Sequence, residues 1–413
     1  MKSKKTLIIG IIALVLVCAW GGAFLYRQPP ADTRGPRYAG AITCIKCHKN
    51  IYDAYLTTAH SGTTQPANIH NIHGSFNGPR NVLTLTDGQK IVMEKRDSGL
   101  YQVGYVNGKQ TKARRFDIRF GGVKAETYLY WQGLQLFELP VSYFKALKGW
   151  TNSPGYSPFH INFDRAIVTR CMECHSSYLY EVPQETLAKT TNLFEKSTMI
   201  YGIDCERCHG PAAEHVNFQT ANPEVKKDKY MVRFKSLTRQ QKLDACAVCH
   251  SANTDNFERT AFAFKPGDTL ANFKTPDFFP KKQDITKMDV HGNQNGMLAV
   301  SKCFFMSNMD CTTCHNTHVN ERGNVMLYNQ KCLNCHNNAN HNSCKMASQA
   351  GDGLQTRCID CHMPAMASRA ITMKGSSDQR VEPYLVRTHR IAIYPDESKK
   401  IMAFLAKNAT HKN

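Results

Sequence analysis

One five-residue pattern, repeated seven times, carries the chemistry of this chain. In each copy, two cysteines are separated by two residues and a histidine directly follows the second cysteine. One copy lies near the N-terminus, and the other six lie between residues 171 and 362. In chain order the copies, called motifs 1 to 7 below, are Cys44-Ile-Lys-Cys47-His48, Cys171-Met-Glu-Cys174-His175, Cys205-Glu-Arg-Cys208-His209, Cys246-Ala-Val-Cys249-His250, Cys311-Thr-Thr-Cys314-His315, Cys332-Leu-Asn-Cys335-His336 and Cys358-Ile-Asp-Cys361-His362.

This pattern is the attachment signature of c-type haem. The two thiols add to the two vinyl groups of one porphyrin, and the histidine that follows is held under the ring as a ligand of the iron. A zinc site would pair each Cys-x-x-Cys with two more distant ligands and would not need a histidine at that place. We therefore predict seven covalently bound haem c groups, with the fourteen motif cysteines as attachment points and the seven motif histidines as iron ligands.

The haem count changes what the 413 residues can build. A chain of this length could hold two or three ordinary domains. Between residues 171 and 362, however, there are too few residues per porphyrin for a conventional apolar core. We predict a mainly α fold with much irregular loop and little sheet there, built around a stacked multihaem array, with a small antiparallel β insertion between motifs 1 and 2.

The formal net charge of +19 does not indicate a nucleic-acid partner. Each haem carries two propionates, and seven of them lower the balance to roughly +12 with every iron oxidised. Many of the lysines and arginines are therefore expected to pair with propionates. A basic surface for an acidic redox partner or an anionic substrate stays open as an alternative.

The N-terminus contains an apolar stretch long enough to cross a bilayer. Residues 6–26 carry no charge and follow the basic residues Lys2, Lys4 and Lys5. The positive charges favour a cytoplasmic N-terminus, and no clean cleavage site follows, so an uncleaved anchor is favoured over a cleaved signal peptide. Either alternative places the body on the periplasmic side of the cytoplasmic membrane or beyond it.

Residues 75–150 contain no motif and show strand and turn signals instead. Asp87-Gly88, Asn107-Gly108 and Gly121-Gly122 separate runs that alternate between apolar and polar residues. Such dipeptides are hairpin signals, so we predict an antiparallel β meander. Its expected role is a scaffold or spacer, with a partner-docking surface or a lid over the nearest haem as the alternative.

The predicted organisation has six parts. They are an anchor or signal at 1–26, a tether at 27–40, a first haem segment at 41–74, a β-rich insertion at 75–150, a six-haem core at 151–394 and a tail helix at 395–413.

Three strings resemble the cytochrome c-554 and hydroxylamine oxidoreductase-like multihaem cytochromes. They are YAGAITCIKCHKNIYDAYLTTAH around motif 1, GIDCERCHGPAAEHV around motif 3 and CIDCHMP at motif 7. The resemblance covers residues 38–67 and 154–394. That family contains both electron carriers and enzymes, so the resemblance implies a fold more than an activity.

Ten histidines lie outside the motifs and could bind the second face of an iron. The resemblance implies His60, His215, His318 and His389 as such distal ligands. Since His318 lies only three residues past His315, it should serve a neighbouring haem. The remaining predicted ligands are His160, His291 and His341. The competitors are His70 and His73, and His411 is expected to be solvated.

Three cysteines remain outside the motifs: Cys18, Cys303 and Cys344. An extracytoplasmic location permits disulfides. We expect Cys303 and Cys344 to be bridged, with two free thiols as the alternative.

The sixth iron ligand separates an electron carrier from an enzyme, because only an iron with an open position can bind a substrate. The chain lacks the Cys-x-x-Cys-Lys active haem of pentahaem nitrite reductases and has one motif fewer than the octahaem enzymes. We assign no catalytic residue. The expected protein transfers electrons between a membrane quinol-linked donor and a periplasmic or outer-membrane acceptor. The alternatives are an oxidoreductase of a small nitrogen or sulfur compound with one five-coordinate haem, and a structural subunit of a larger complex.

Overall fold

A computed structural model describes residues 31–184, 192–252, 257–274, 288–340, 343–346, 354, 356–374 and 381–410. The predicted anchor at 1–26, with Cys18, and the histidines His341 and His411 lie outside these ranges. Within them, no helix has the length and apolar character needed to cross a membrane.

Helices and strands alternate along the described chain. The helices are α1 Ile45–Leu56, α2 Thr169–His175, α3 Cys205–His209, α4 Ala213–Ala221, α5 Arg239–His250, α6 Gln294–Ala299, α7 Lys302–Phe305, α8 Cys311–Cys314, α9 Val325–Leu333, α10 Cys358–His362 and α11 Pro395–Thr410. The strands are β1 Thr64–Pro66, β2 Val82–Thr84, β3 Gln89–Arg96, β4 Gly99–Val106, β5 Lys109–Arg115, β6 Ile118–Gly121, β7 Ala125–Gln132, β8 Gln135–Glu138, β9 Val141–Phe144, β10 Gly149–Asn152, β11 Ser176–Glu181, β12 Phe194–Tyr201, β13 Ala365–Lys374 and β14 Val381–Arg387. Single 3-10 turns occur at Ala41–Cys44, Phe234–Ser236, Ala261–Ala263, Leu270–Phe273 and Asn338–Asn340.

Two antiparallel sheets occupy the region without motifs. Strands β2, β3, β4 and β5 form a meander, and β1, β6, β7, β9 and β10 form a second sheet in which β8 also pairs with β7. The dipeptides Asp87-Gly88 and Asn107-Gly108 link the strands of the meander, with φ angles of 55° and 69°, and of 48° and 79°. Positive φ at both central residues is what a two-residue type I′ turn requires. The hairpin signals of the sequence therefore lie at turns of the structure.

The two sheets share one apolar core. Ile91 and Met93 on β3 and Tyr128 and Tyr130 on β7 are at most 1% exposed and belong to the same buried cluster. Trp150 on β10 joins that cluster, and its indole N–H donates to the Ser75 carbonyl at 2.8 Å. This region thus has the alternating, two-sheet burial of an ordinary β protein. We call residues 82–152 the sheet module.

Two motifs sit on short helices whose first turn is capped by an acidic residue. The Asp204 side chain accepts from the Arg207 backbone N–H at the start of α3, and Asp310 accepts from the Thr312 N–H at the start of α8. Such caps satisfy backbone donors that a helix of one turn leaves without an internal partner. The local sequence therefore helps to fix motifs 3 and 5, although their helices are only five and four residues long.

The mainly α description is only partly right, because strands also occur outside the predicted β insertion. Two further hairpins follow motifs, β11–β12 after motif 2 and β13–β14 after motif 7. Leu179 on β11 and Phe194 on β12 are 1% and 0% exposed, so the first hairpin packs through its own apolar face. Reasoning from the porphyrin content alone missed this protein core. The stacking of haems and the division into domains stay predictions.

The described part of the predicted tether is fixed to motif 3. The Arg34 guanidinium lies 2.7 Å from Asp204 and 3.0 Å from Glu206, and the Glu206 carboxylate accepts the backbone N–H of Ala39 and Gly40, each at 2.9 Å. The Arg34 and Glu206 side chains are 5% and 0% exposed. Buried charges of this kind are stable only when paired, as they are here.

Candidate haem centres

Three motif histidines each face a histidine from outside the motifs. The ring centroids are 5.8 Å apart for His209 and His318, and 6.2 Å apart both for His250 with His60 and for His315 with His389. A metal bound at about 2 Å by one nitrogen of each of two opposed imidazoles puts their ring centres about 6 Å apart. The spacing therefore suits one iron between the two rings of each pair.

Two of the outer histidines, His60 and His389, are held in the form that binds metals. Burial lowers the pKa of His60 to about 4, and the neighbouring rings of His250 and His315 add to the effect. Burial likewise lowers the pKa of His389 to about 4, together with His315 and His250. A neutral imidazole keeps a nitrogen lone pair for a metal ion, which a protonated ring lacks.

Motif 2 is surrounded by the sheet module and by the loop that precedes α6. Phe120 on β6 stacks on the His175 ring at 4.6 Å and 13°. The hydroxyls of Thr63 and Thr64 donate to the His175 carbonyl at 2.8 Å each. Burial lowers the pKa of His175 to about 4, and His291 is the largest charged contributor. The structure thus brings His291 toward motif 2, whereas the sequence suggested no partner for it.

The other predicted distal ligands are not brought to a motif histidine by any ring contact among the described residues. His215 lies on α4, and its Nδ1 is 2.9 Å from the Lys229 carbonyl, which leaves Nε2 for another partner. His160 is exposed, and its Nδ1 lies 3.1 Å from the Ser157 hydroxyl. Of the competitors, His70 is exposed and His73 is bound to the buried carboxylate of Glu126.

Four contacts join cysteines of different motifs. In each, the two thiols interact closely enough to shift each other's pKa, one upward and the other downward. The pairs are Cys44 with Cys205, Cys174 with Cys249, Cys246 with Cys311, and Cys332 with Cys358. They connect motif 1 to 3, motif 2 to 4, motif 4 to 5, and motif 6 to 7. Because these sulfurs are the atoms that bond to porphyrin edges, each contact brings two attachment edges together.

Electrostatic contacts supply the two remaining links. Cys208 of motif 3 interacts with both Cys246 and Cys249 of motif 4. Cys314 of motif 5 interacts with Cys332 and Cys335 of motif 6. The neighbours therefore run in the order 1, 3, 4, 5, 6 and 7. Motif 2 lies beside motifs 3 and 4, since the Arg207 guanidinium donates to the Glu173 carbonyl at 3.3 Å and the Cys249 sulfur lies 3.8 Å from the same carbonyl.

The expected bridge between Cys303 and Cys344 is not formed. Both are free thiols in the structure. Cys303 interacts electrostatically with cysteines of motifs 5 and 6, among them Cys335, whereas Cys344 acts on Cys361 of motif 7. The two thiols are thus positioned beside different motifs, which is the physical reason why the two are not joined.

Acidic residues inside two motifs have a positioning role that the sequence analysis missed. In motif 2, Glu173 is 4% exposed and accepts from the Thr260 hydroxyl and the Ala261 N–H, each at 2.7 Å. In motif 3, Glu206 holds the N-terminal segment and also accepts from the Ala212 N–H at 2.8 Å. The sequence signal for this positioning role was the presence of a carboxylate residue between the two attachment cysteines of a motif.

The residues present fit covalently bound haem c. The thiol pairs of the motifs would hold the porphyrins covalently. The motif histidines and the opposed histidines would hold the irons. When bound, this group supplies reversible one-electron chemistry at iron.

Known proteins agree with this class. The family model for cytochrome c554 and c-prime matches residues 153–210. The fold is similar to the crystal structure of the outer cell wall cytochrome OcwA, with a TM-score of 0.50 and 16% sequence identity over 88% of this chain and 82% of that one. No curated protein matches the sequence. The family match around motifs 2 and 3 and the seven attachment motifs support a c-type cytochrome that transfers electrons through covalent haem c. The hydroxylamine oxidoreductase side of the resemblance stays a prediction.

Proposed function

We propose that this chain is an extracytoplasmic heptahaem cytochrome. It passes electrons from a membrane quinol-linked donor to a periplasmic or outer-membrane acceptor, by cycling of Fe(III) and Fe(II) along an ordered set of motifs. The observation that carries the proposal is the set of three opposed histidine pairs at about 6 Å spacing.

The histidine pairs favour a carrier over an enzyme at motifs 3, 4 and 5. A second imidazole on the far face of an iron fills the position that a substrate would need. His60, His318 and His389 come from segments distant in the sequence from the motifs they face, so closing these irons requires the folded chain. The chain thereby keeps the middle of the conduit inert toward small molecules and available for electron transfer.

The thiol contacts support a path with one branch. Electrons given to motif 1 would pass through motifs 3, 4, 5 and 6 to motif 7, with motif 2 as a side branch at motifs 3 and 4. Motif 4 therefore lies at the junction, and its distal residue His60 sits just beyond α1, the helix that carries motif 1. One short segment thus links the start of the path to its junction.

The ligand assignment is tested by alanine substitution in the oxidised holoprotein. His60→Ala, His318→Ala and His389→Ala should each convert one haem from low spin to high spin in electron paramagnetic resonance spectra. His70→Ala is the matched control, since His70 is an exposed histidine outside the motifs and should leave the spectrum unchanged. Unchanged low-spin intensity in all three variants would refute the pairing.

The path is tested by making single irons into electron traps. Methionine in place of a distal histidine raises the reduction potential of that haem. His60→Met should therefore slow transfer from a photoreductant docked near motif 1 to the motif 7 end, because electrons are held at the junction. His291→Met at the side branch should leave the through-rate near that of the wild type. Equal slowing by both variants would contradict the branched order.

A further inference from the structure

A cavity of about 380 Å³ lies at the point where the N-terminal segment meets motifs 1 and 3. Its walls include Tyr52, Tyr55 and Leu56 on α1, Ile200 on β12, and Asp204, the residue directly before motif 3. Ligand sites are typically cavities of several hundred Å³ with mostly apolar and aromatic walls and a few placed polar groups. Neither the axial histidine pairs nor the thiol contacts account for these walls.

The cavity reaches the attachment edges of two motifs. Tyr52 interacts electrostatically with both Cys44 and Cys205, the two sulfurs that form the contact between motifs 1 and 3. The Tyr55 hydroxyl donates to the Ile203 carbonyl at 2.7 Å, which fixes that ring between the two motifs. A molecule in the cavity would therefore lie beside two one-electron acceptors at once.

The polar end of the cavity is a hydrogen-bond acceptor. The Asp204 carboxylate lies 2.7 Å from the Arg34 guanidinium and is 6% exposed on its side chain. Asp32, also on the wall, lies 2.9 Å from the same guanidinium. Burial opposes ionisation of Asp32, but hydrogen bonds from Arg34 lower its pKa overall. Both carboxylates already accept hydrogen bonds from Arg34, and Asp204 also accepts from the Arg207 N–H. Because an ionised carboxylate donates none, any further partner at this end must be a donor such as a hydroxyl group.

The cavity also lies close to the predicted membrane surface. Ala31 is part of its wall, and the apolar stretch that could span a bilayer ends at Tyr26. Five residue steps cover at most about 18 Å. At the rim, Ile42 and Leu56 are 59% and 52% exposed, which presents an apolar mouth. A ligand that partitions into lipid could reach this opening without leaving the interface.

We propose that this cavity binds a hydroquinone and is where electrons from the membrane pool pass into the protein. The inference rests on the proposed function and names the donor site. Oxidation of the ring to a quinone breaks two O–H bonds and releases two electrons and two protons. The haems that the cysteines and histidines of motifs 1 and 3 would hold would each accept one of these electrons. The two protons leave to water at the mouth.

The test uses full-length holoprotein in nanodiscs and two substitutions on opposite walls. Ile200→Trp and Leu56→Trp should fill the cavity, abolish fluorescence quenching of the quinol analogue 2-heptyl-4-hydroxyquinoline N-oxide, and slow reduction by menadiol about tenfold or more, because the indole takes the space of the ring. Leu147→Trp is the matched control, since Leu147 is an exposed leucine outside the cavity. It should bind the analogue and be reduced by menadiol as the wild type is.

Three further measurements separate the outcomes. Wild-type affinity for the analogue in both cavity variants would overturn the proposal, as would the absence of binding to the wild type. A loss of one haem in the cavity variants, measured as pyridine haemochrome, would also overturn it, because the space would then belong to a porphyrin. A soluble photoreductant should reduce the haems of the two cavity variants at the same rate as those of the wild type. If photoreduced electrons do not spread beyond one haem in the wild type, the conduit itself is wrong, independently of the cavity.

Discussion

The sheet module and the segment from motif 3 to motif 7 bury apolar surface in different ways. The largest fully buried side chains, among them Tyr128, Phe144 and Met93, all lie between residues 91 and 194. In the motif segment, by contrast, protein atoms cover little of Phe305 and Met306, which are 73% and 76% exposed. The module has an extended protein core, whereas the motif segment has a small apolar cluster that includes Val248 and Phe264, together with apolar side chains that porphyrins held by its cysteines would cover. We therefore expect the module to fold by itself and the motif segment to need the cofactor for its full structure.

The largest expected effect follows from withholding haem attachment. In a chain produced without haem, hydrogen exchange should be slow across residues 89–152 and fast across residues 205–362, because only the first region buries enough apolar surface to offset the entropy of ordering. In the holoprotein both regions should be protected. Equal protection of the motif segment without haem would remove the distinction between the two regions.

A cavity in the module should destabilise it without touching the haem spectrum. Met93 is 0% exposed, and Met93→Ala should lower the free energy of unfolding of the module by about 2–5 kcal/mol. Urea titration followed by tryptophan fluorescence measures this, since Trp150 lies in the same core. Leu134→Ala, at an exposed turn position, is the control and should cost little. A change in the low-spin haem bands of Met93→Ala would show that the module core and the irons are coupled.

A buried carboxyl in the module should give a pH-dependent stability. Burial raises the pKa of Glu138 to about 7, although Arg165 at 3.1 Å opposes the shift. The folded state therefore binds more protons than the unfolded state between pH 4.5 and pH 7, and stability falls as pH rises through that window. Glu138→Gln should be more stable than the wild type by about 2–3 kcal/mol at pH 8 and about equal at low pH.

Thermal unfolding at several pH values measures the Glu138 effect. Glu224→Gln, at an exposed position, provides the comparison and should show no such pH-dependent gain. A Glu138→Gln variant that loses stability equally at pH 5 and pH 8 would mean that the ion pair with Arg165 dominates.

The smallest effect concerns a cap on the motif side. Asp310 accepts the Thr312 N–H at 2.8 Å at the start of α8. Asp310→Ala should loosen motif 5 by about 1 kcal/mol, and Asp310→Asn should retain most of that stability because asparagine also caps helices. Local hydrogen exchange at residues 311–315 measures the difference. If the covalent link alone orders this turn, both variants will exchange like the wild type.

Local features of the fold and site could be predicted from the sequence, and long-range pairings could not. The attachment motifs and the turns at Asp87-Gly88 and Asn107-Gly108 depend on adjacent residues, so the local sequence is enough to predict them. The pairs His60 with His250 and His389 with His315 join segments that are distant in the chain. Sequence spacing alone therefore does not decide which histidine outside the motifs pairs with which motif. The Arg34 cluster and the hairpin β11–β12 were missed for the same reason, since each depends on a tertiary contact.

The central claim is that the irons are closed and only carry electrons. Low-temperature electron paramagnetic resonance of the oxidised holoprotein, with haem content from pyridine haemochrome, tests it most directly. We expect seven haems per chain, all low spin, with no axial high-spin signal. A high-spin iron whose signal shifts with nitrite, hydroxylamine or sulfite would contradict the carrier and identify an enzyme.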